Sequence, residues 1–161
     1  MKVLLASSLF LFPLLVFSQS KEDTITFTKG QEKKTFKVRY YQFKEEAFSK
    51  ISPMQFLELL RKGKSNGDMY IEFYAKAPKE WIKPDDLKKL INLIDSKEEC
   101  IGVITPLTSS MPYTYVNSTV GCQATHLIDL YRKGFYYSNQ NCYEAGIKEI
   151  KDWWREFSLK Q

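Results

Sequence analysis

Residues 52–63 have the sequence SPMQFLELLRKG and carry the clearest helix signal in the chain. Ser52 and Gln55 have the spacing of a capping box, in which each side chain accepts a hydrogen bond from the other residue's backbone N–H. Pro53 stands at the first helical position, where its missing N–H costs nothing. Gly63 stands where a left-handed residue commonly ends a helix. These signals predict one helix that starts at Pro53 and ends at Gly63.

On the N-terminal side of this helix, two segments alternate between polar and apolar residues. They are residues 24–28 and 35–41, and the polar link between them contains Gly30. Alternation with period two on both sides of a glycine-bearing link predicts a β-hairpin with one face on a core. A lone hairpin is marginally stable in water, so we expect it to pack against the helices that follow.

On the C-terminal side, the sequence predicts mostly helices. Helical periodicity or capping signals follow Pro84, run from Ser118 to Lys133, and return before the C-terminus. Residues 69–76 fit either a helix or a strand, and we favour a helix. The predicted fold class is therefore mainly α within the α+β class: a small helical domain with an N-terminal β-hairpin.

The first residues have the pattern of a secretory signal peptide. Met1 and Lys2 form a short basic start, Val3 to Phe17 are uncharged, and small residues follow at Ser18 and Ser20. The apolar run is shorter than the roughly 20 residues that a membrane-spanning helix needs. We expect cleavage after Ser18, with Ser20 as the alternative. The predictions are a signal peptide at 1–18, a single globular domain at 19–161, and a periplasmic or secreted protein with no integral membrane segment after cleavage.

The charges exclude some classes of partner. The formal net charge is +5 with 24 Lys and Arg against 19 Asp and Glu, and removing Lys2 with the leader makes it +4. A nucleic-acid site needs clustered basic residues with stacking aromatic residues, so no nucleic-acid partner is predicted. The densest basic stretch contains Lys33, Lys34, Lys37 and Arg39. Apolar residues are interleaved with these, as expected for the solvent-exposed face of a strand. Docking on an anionic envelope polymer through these four residues is one alternative function.

The chain contains three cysteines, Cys100, Cys122 and Cys142. An oxidising compartment permits one disulfide and leaves one odd thiol. We favour a Cys100–Cys142 disulfide, because both residues lie near the ends of predicted elements. Three buried, reduced thiols are the alternative.

One pair of residues, Cys122 and His126, is a candidate for a catalytic site. Residues four apart on a helix are neighbours, so the two side chains have the arrangement of a nucleophile and its base. His126 is the only histidine of the chain, so no second imidazole can complete a metal site. The seven glycines form no phosphate-binding pattern. No catalytic, metal or cofactor residue is predicted, and an envelope enzyme using Cys122 and His126 is an alternative.

Two features suggest a surface that binds a partner. Residues 105–117 form a long irregular stretch with two prolines, and its tyrosines and serines suit a contact surface. Trp153 and Trp154 are adjacent and diverge by about 100° on a helix, so Trp154 aligns with the core face and Trp153 lies towards its edge. Either both rings belong to the core, or Trp153 is part of a surface that faces a partner. The predicted function is an exported, non-enzymatic binding protein, inhibitor- or immunity-like in class, with an unknown protein partner in the cell envelope. Its predicted contacts are Ser109, Tyr113, Tyr115 and Trp153.

The last half of the chain resembles small exported bacterial proteins of unassigned function. The resemblance rests on Trp81-Ile82, Asp86-Leu87, residues 90–96 (LINLIDS), residues 118–121 with Ala124 and Leu127-Ile128, and Trp153-Trp154. It implies an origin in a bacterial envelope. It carries no catalytic residue over to this chain.

Overall fold

The fold is described by a computed structural model. The described residues are 21–29, 32–43, 45–73, 77–78, 80–105, 117–134, 136 and 144–160. Their elements, in chain order, are β1 (Lys21–Lys29), β2 (Glu32–Phe43), α1 (Glu45–Phe48), α2 (Pro53–Asn66), β3 (Tyr70–Phe73), α3 (Pro84–Ile91), β4 (Glu99–Ile104), β5 (Asn117–Thr119), α4 (Val120–Lys133) and α5 (Glu144–Ser158).

The strands of the described residues form one mixed sheet in the order β1-β2-β3-β4-β5. β1 and β2 make the antiparallel hairpin, with Ile25 opposite Phe36. β3 then pairs in parallel with both β2 and β4, and β5 returns antiparallel to β4. The prediction of a mainly helical domain is therefore wrong, because the hairpin is only the first part of a five-stranded sheet. The fold is a small mixed sheet with helices, α+β in kind.

The strands β3 and β4 explain this error. Strands in parallel sheets are buried on both faces, and they then lack the alternation that marks a strand exposed on one side. Tyr70 and Ile71 are both buried, and so are the four residues from Cys100 to Val103. The helix favoured for residues 69–76 is accordingly wrong where the chain is described, since Tyr70–Phe73 is a strand.

The helix α2 begins as predicted and ends later. Ser52 Oγ accepts a hydrogen bond from Gln55 N at 3.3 Å, and Gln55 Oε1 accepts one from Ser52 N at 2.8 Å. The helix continues past Gly63 and is ended by Gly67, which has a φ of 74°. Gly63 has a different role, because a side chain there would collide with Ile101 Cδ1 of β4. The glycine thus lets α2 lie close to the sheet.

The core is one cluster of buried side chains between the sheet and the helices. Phe43 and Phe73, which are partners in the β2–β3 register, stack with ring centroids 5.5 Å apart. Phe56 of α2 packs edge-on against Phe43 at 5.0 Å. Trp81 completes this aromatic group, and its Nε1 donates a hydrogen bond to Ile51 O at 2.8 Å. Among the described residues, no helix has both the length and the apolar character needed to cross a membrane.

Candidate functional site

Several predicted features fall outside the described part of the chain. They are the signal peptide at 1–18, the loop residues Ser109, Tyr113 and Tyr115, and the cysteine Cys142. Thr105, the first residue of the predicted loop, is described and is buried. The contact role of the loop therefore stays a prediction.

The described cysteines differ from the predicted pairing. Cys100 is a free thiol, buried in β4, so the structure does not contain the predicted Cys100–Cys142 bond. Cys122, in the first turn of α4, is disulfide-bonded. Cys100 does lie near the end of an element, as the second residue of β4. This position did not decide the pairing, because the thiol is buried in the core of the sheet and helices.

The thiol of Cys100 has low reactivity. Burial raises its pKa from 9.0 to about 12, and it outweighs the opposing effect of the Arg61 guanidinium. Glu98 raises the pKa further and Lys64 lowers it. A thiol reacts as its thiolate, so this residue is a poor nucleophile at neutral pH.

Cys122 and His126 are neighbours, as their spacing predicts. Cys122 Sγ lies 3.5 Å from His126 Nε2, and both side chains are buried. Thr119 caps the helix, with its Oγ1 accepting a hydrogen bond from Cys122 N at 3.2 Å. Because the sulfur of Cys122 is already in a disulfide, this pair holds no free thiolate for a nucleophilic attack.

A buried hydrogen-bond network lies beside this pair, and no sequence pattern predicted it. Tyr136 Oη donates a hydrogen bond to Gln123 Oε1, and Gln123 Nε2 donates one to Ser118 Oγ at 2.9 Å. The Tyr136 ring is 5.6 Å from the His126 ring. Burial raises the pKa of Tyr136 well above its usual value, with a smaller contribution from Cys100. The network satisfies buried polar groups, which is a structural role.

An aromatic cluster on the last helix is the strongest candidate for a binding surface. We call Tyr131, Trp153, Trp154 and Phe157 the α5 aromatic surface. Trp153 and Phe157 stack with centroids 4.9 Å apart, and Trp154 lies 5.7 Å from Phe157. Tyr131 of α4 contacts Trp153 at 6.3 Å. All four side chains are only partly buried.

Charged side chains border the α5 aromatic surface and connect it to α4. The Arg132 guanidinium lies over the Trp153 ring, 5.2 Å from its centroid, and its Nη2 donates a hydrogen bond to Glu149 Oε1 at 2.7 Å. That hydrogen bond lowers the pKa of Glu149. Lys151 Nζ lies 2.7 Å from Asp95 Oδ2, beyond the end of α3. This border is polar, while the centre is aromatic.

The basic stretch of β2 is not available as a whole for an anionic polymer. Arg39 Nε donates a hydrogen bond to Asp68 Oδ1, and Arg39 Nη2 donates one to Asn66 O at 2.6 Å. The side chains of Lys33, Lys34 and Lys37 lie outside the described part of the chain. In the described part, no three His, Cys, Asp or Glu side chains group together as metal ligands would.

Comparisons with known proteins identify no family for this chain. The chain matches no protein-family model, no curated protein and no solved structure. The resemblance to small exported bacterial proteins therefore stays a prediction.

Proposed function

We propose that this chain is an exported, non-enzymatic binding protein and that the α5 aromatic surface is part of its contact surface. One observation carries the proposal: among the described side chains of α5, only Ile150 is buried. Ile147, Trp153, Trp154 and Phe157 pack against the core but remain partly exposed. A helix with two tryptophans that its own domain covers only in part has apolar area left for a partner.

The chemistry of the surface suits a protein partner. Tryptophan and tyrosine are enriched among the residues that dominate binding energy, and such residues usually have a polar rim around them. Arg132, Glu149 and Lys151 form a rim of this kind. Small inhibitor and immunity-type proteins are the class we favour. The loop 105–117, with Ser109, Tyr113 and Tyr115, belongs to the same proposal on the sequence alone.

Two observations support export without catalysis. A disulfide at Cys122 fits an oxidising compartment, as the predicted signal peptide requires. The same bond removes the thiolate that an enzyme using Cys122 and His126 would need, and the other described cysteine is buried with a raised pKa. These observations favour binding over the enzymatic alternative.

The test is recovery of partners from an envelope extract, with wild type compared with Trp153→Ala. The matched control is Leu159→Ala, which truncates an apolar side chain that is 83% exposed on the same C-terminal segment and lies outside the aromatic cluster. We expect Trp153→Ala to weaken the binding of any recovered partner by about tenfold or more, and Leu159→Ala to leave it unchanged. Thermal unfolding identifies a variant that has lost its fold, in which case Trp154→Ala replaces it. Equal recovery of every partner by all variants contradicts the proposal.

A further inference from the structure

The hairpin of β1 and β2 extends beyond the rest of the sheet. β1 pairs with β2 along its whole length, from Lys21 opposite Tyr40 to Lys29 opposite Glu32, whereas β3 pairs with β2 only over residues 40–43. We call residues 21–29 and 32–39 the β arm. Within the described part of the chain, no strand other than β1 pairs with residues 32–39. A two-stranded hairpin alone is marginally stable in water, so a third strand would stabilise the β arm.

One edge of the β arm lacks the features that usually keep edge strands from pairing, which are short length, bulges, prolines and charges. β1 is the end strand of the described sheet, and its nine residues are many for an edge strand. Its register with β2 runs without a bulge, it contains no proline, and residues 24–28 (TITFT) carry no charge. The β2 side of the arm is different, because residues 32–39 include four basic residues that disfavour pairing. β1 is therefore the edge that suits a further strand.

We propose that the further strand is β1 of a second copy of this chain, running antiparallel to the first. Directly opposite residues of an antiparallel pair lie on the same face of the sheet, so a symmetric pair has its two-fold axis at one residue position. With the axis at Thr26, Asp23 lies opposite Lys29 of the second copy, and Ile25 lies opposite Phe27 of the second copy. Symmetry forms each of these pairs twice. Opposite charges and aromatic–β-branched pairs both stabilise neighbouring strands, so β1 is complementary to itself in this register.

Charge favours this register over its neighbours. With the axis at Ile25, Lys21 would lie opposite Lys29 of the second copy, and like charges directly opposite each other destabilise a sheet. With the axis at Phe27, Lys29 would lie opposite Ile25 of the second copy, and its charge would have no partner. The antiparallel direction also keeps the two folded cores apart. β3 joins the β arm at the end that contains Lys21, and the antiparallel pairing places these ends at opposite sides of the dimer.

Charge reversal tests the pairing and its register, with the mass of the purified chain measured by analytical ultracentrifugation. We expect wild type to form a dimer at micromolar concentrations. Asp23→Lys and Lys29→Asp each place like charges opposite each other twice, so each should weaken the dimer by about tenfold or more. In an equimolar mixture of the two variants, each introduced lysine faces an introduced aspartate, and each native lysine faces a native aspartate. The mixture should therefore recover the dimer that each variant alone has lost.

The controls separate this dimer from a loss of fold and from the proposed function. Lys21→Asp makes the same substitution as Lys29→Asp in the same strand, but its opposite position lies beyond the end of β1, so it should leave the dimer unchanged. Circular dichroism checks the fold of each variant, and recovery in the mixture requires that both variants are folded. If the dimer survives both charge reversals but not Trp153→Ala, it forms through the α5 aromatic surface and the inference is wrong. A wild type that stays monomeric up to millimolar concentration, or a mixture that stays monomeric, also overturns it.

Discussion

The thiol of Cys100 provides a sensitive measure of the packing between α2 and β4. Burial raises its pKa from 9.0 to about 12. At pH 8, a thiol with a pKa of 9.0 is about one-tenth ionised, whereas one with a pKa of about 12 is about one ten-thousandth ionised. Since the thiolate is the reacting species, native Cys100 should react with a thiol reagent about 1000-fold more slowly than in the unfolded chain. Restricted access to a side chain that is 0% exposed slows the reaction further.

The assay follows release of the coloured thiolate from an aromatic disulfide reagent, with and without denaturant. Cys100→Ala serves as the control, and its signal is subtracted from that of the wild type under each condition. The native rate should also rise about tenfold for each pH unit between pH 8 and 11, as long as the chain stays folded. A native rate within about tenfold of the unfolded rate, or a rate that levels off near pH 9, would refute the reasoning.

Three further perturbations test other parts of the structure. Gly121→Ala should destabilise the chain by about 3 kcal/mol, because a Cβ there would lie 2.5 Å from Ile94 O. Gly146→Ala is its control in urea unfolding and should stabilise by up to about 1 kcal/mol, since its Cβ would meet no atom within 4 Å. Asp68→Ala should lower the free energy of unfolding by about 2 kcal/mol, because it leaves Arg39 without a carboxylate partner that is only 1% exposed. Its control is Asp85→Ala, which removes an exposed ion pair and should change stability by less than about 0.5 kcal/mol. The free energy of unfolding should also fall from pH 9 towards pH 12. In this range Cys100 ionises in the unfolded chain but stays protonated in the folded one, because burial raises its pKa, and it accounts for up to about 4 kcal/mol. A stability that is flat between pH 8 and 11 in wild type, or equally steep in Cys100→Ala, contradicts the last prediction.

Local signals in the sequence predicted the elements that depend on neighbouring residues. The start of α2 is one case, because Ser52 and Gln55 satisfy each other's backbone N–H groups without help from the rest of the chain. The hairpin is another, because its two strands are joined by a short link. The predicted end of α2 was wrong, since the helix continues to Asn66, and Gly63 lies instead against Ile101 of β4, in a distant part of the chain.

The parts that sequence reasoning missed all depend on long-range pairing. β3 is a strand because β2 and β4 lie on both sides of it, and its four residues alone do not distinguish a strand from a helix. Asp68 and Arg39 are 29 residues apart, so no local pattern connects them. The expected Cys100–Cys142 bond was wrong for a similar reason, because the pairing of β4 with its neighbours and the packing of the helices bury Cys100 as a free thiol. Helical spacing alone does not separate Trp153 from Trp154, since both are partly buried against the core.

The position of α5 depends on few strong contacts, and this bears on how its surface would bind. The ion pairs Arg132–Glu149 and Lys151–Asp95 involve exposed carboxylates, and such pairs contribute only about 0.2–1 kcal/mol each. Burial of Ile150 adds roughly 2–3 kcal/mol, and Ile147, Trp153, Trp154 and Phe157 add partly buried contacts with the core. Separation of α5 from α4 would part Tyr131 from Trp153 and Phe157, so the α5 aromatic surface exists only while α5 is packed. A change that loosens α5 from α4, such as Ile150→Ala, should therefore weaken binding at the α5 aromatic surface even while the sheet β2–β4 stays folded.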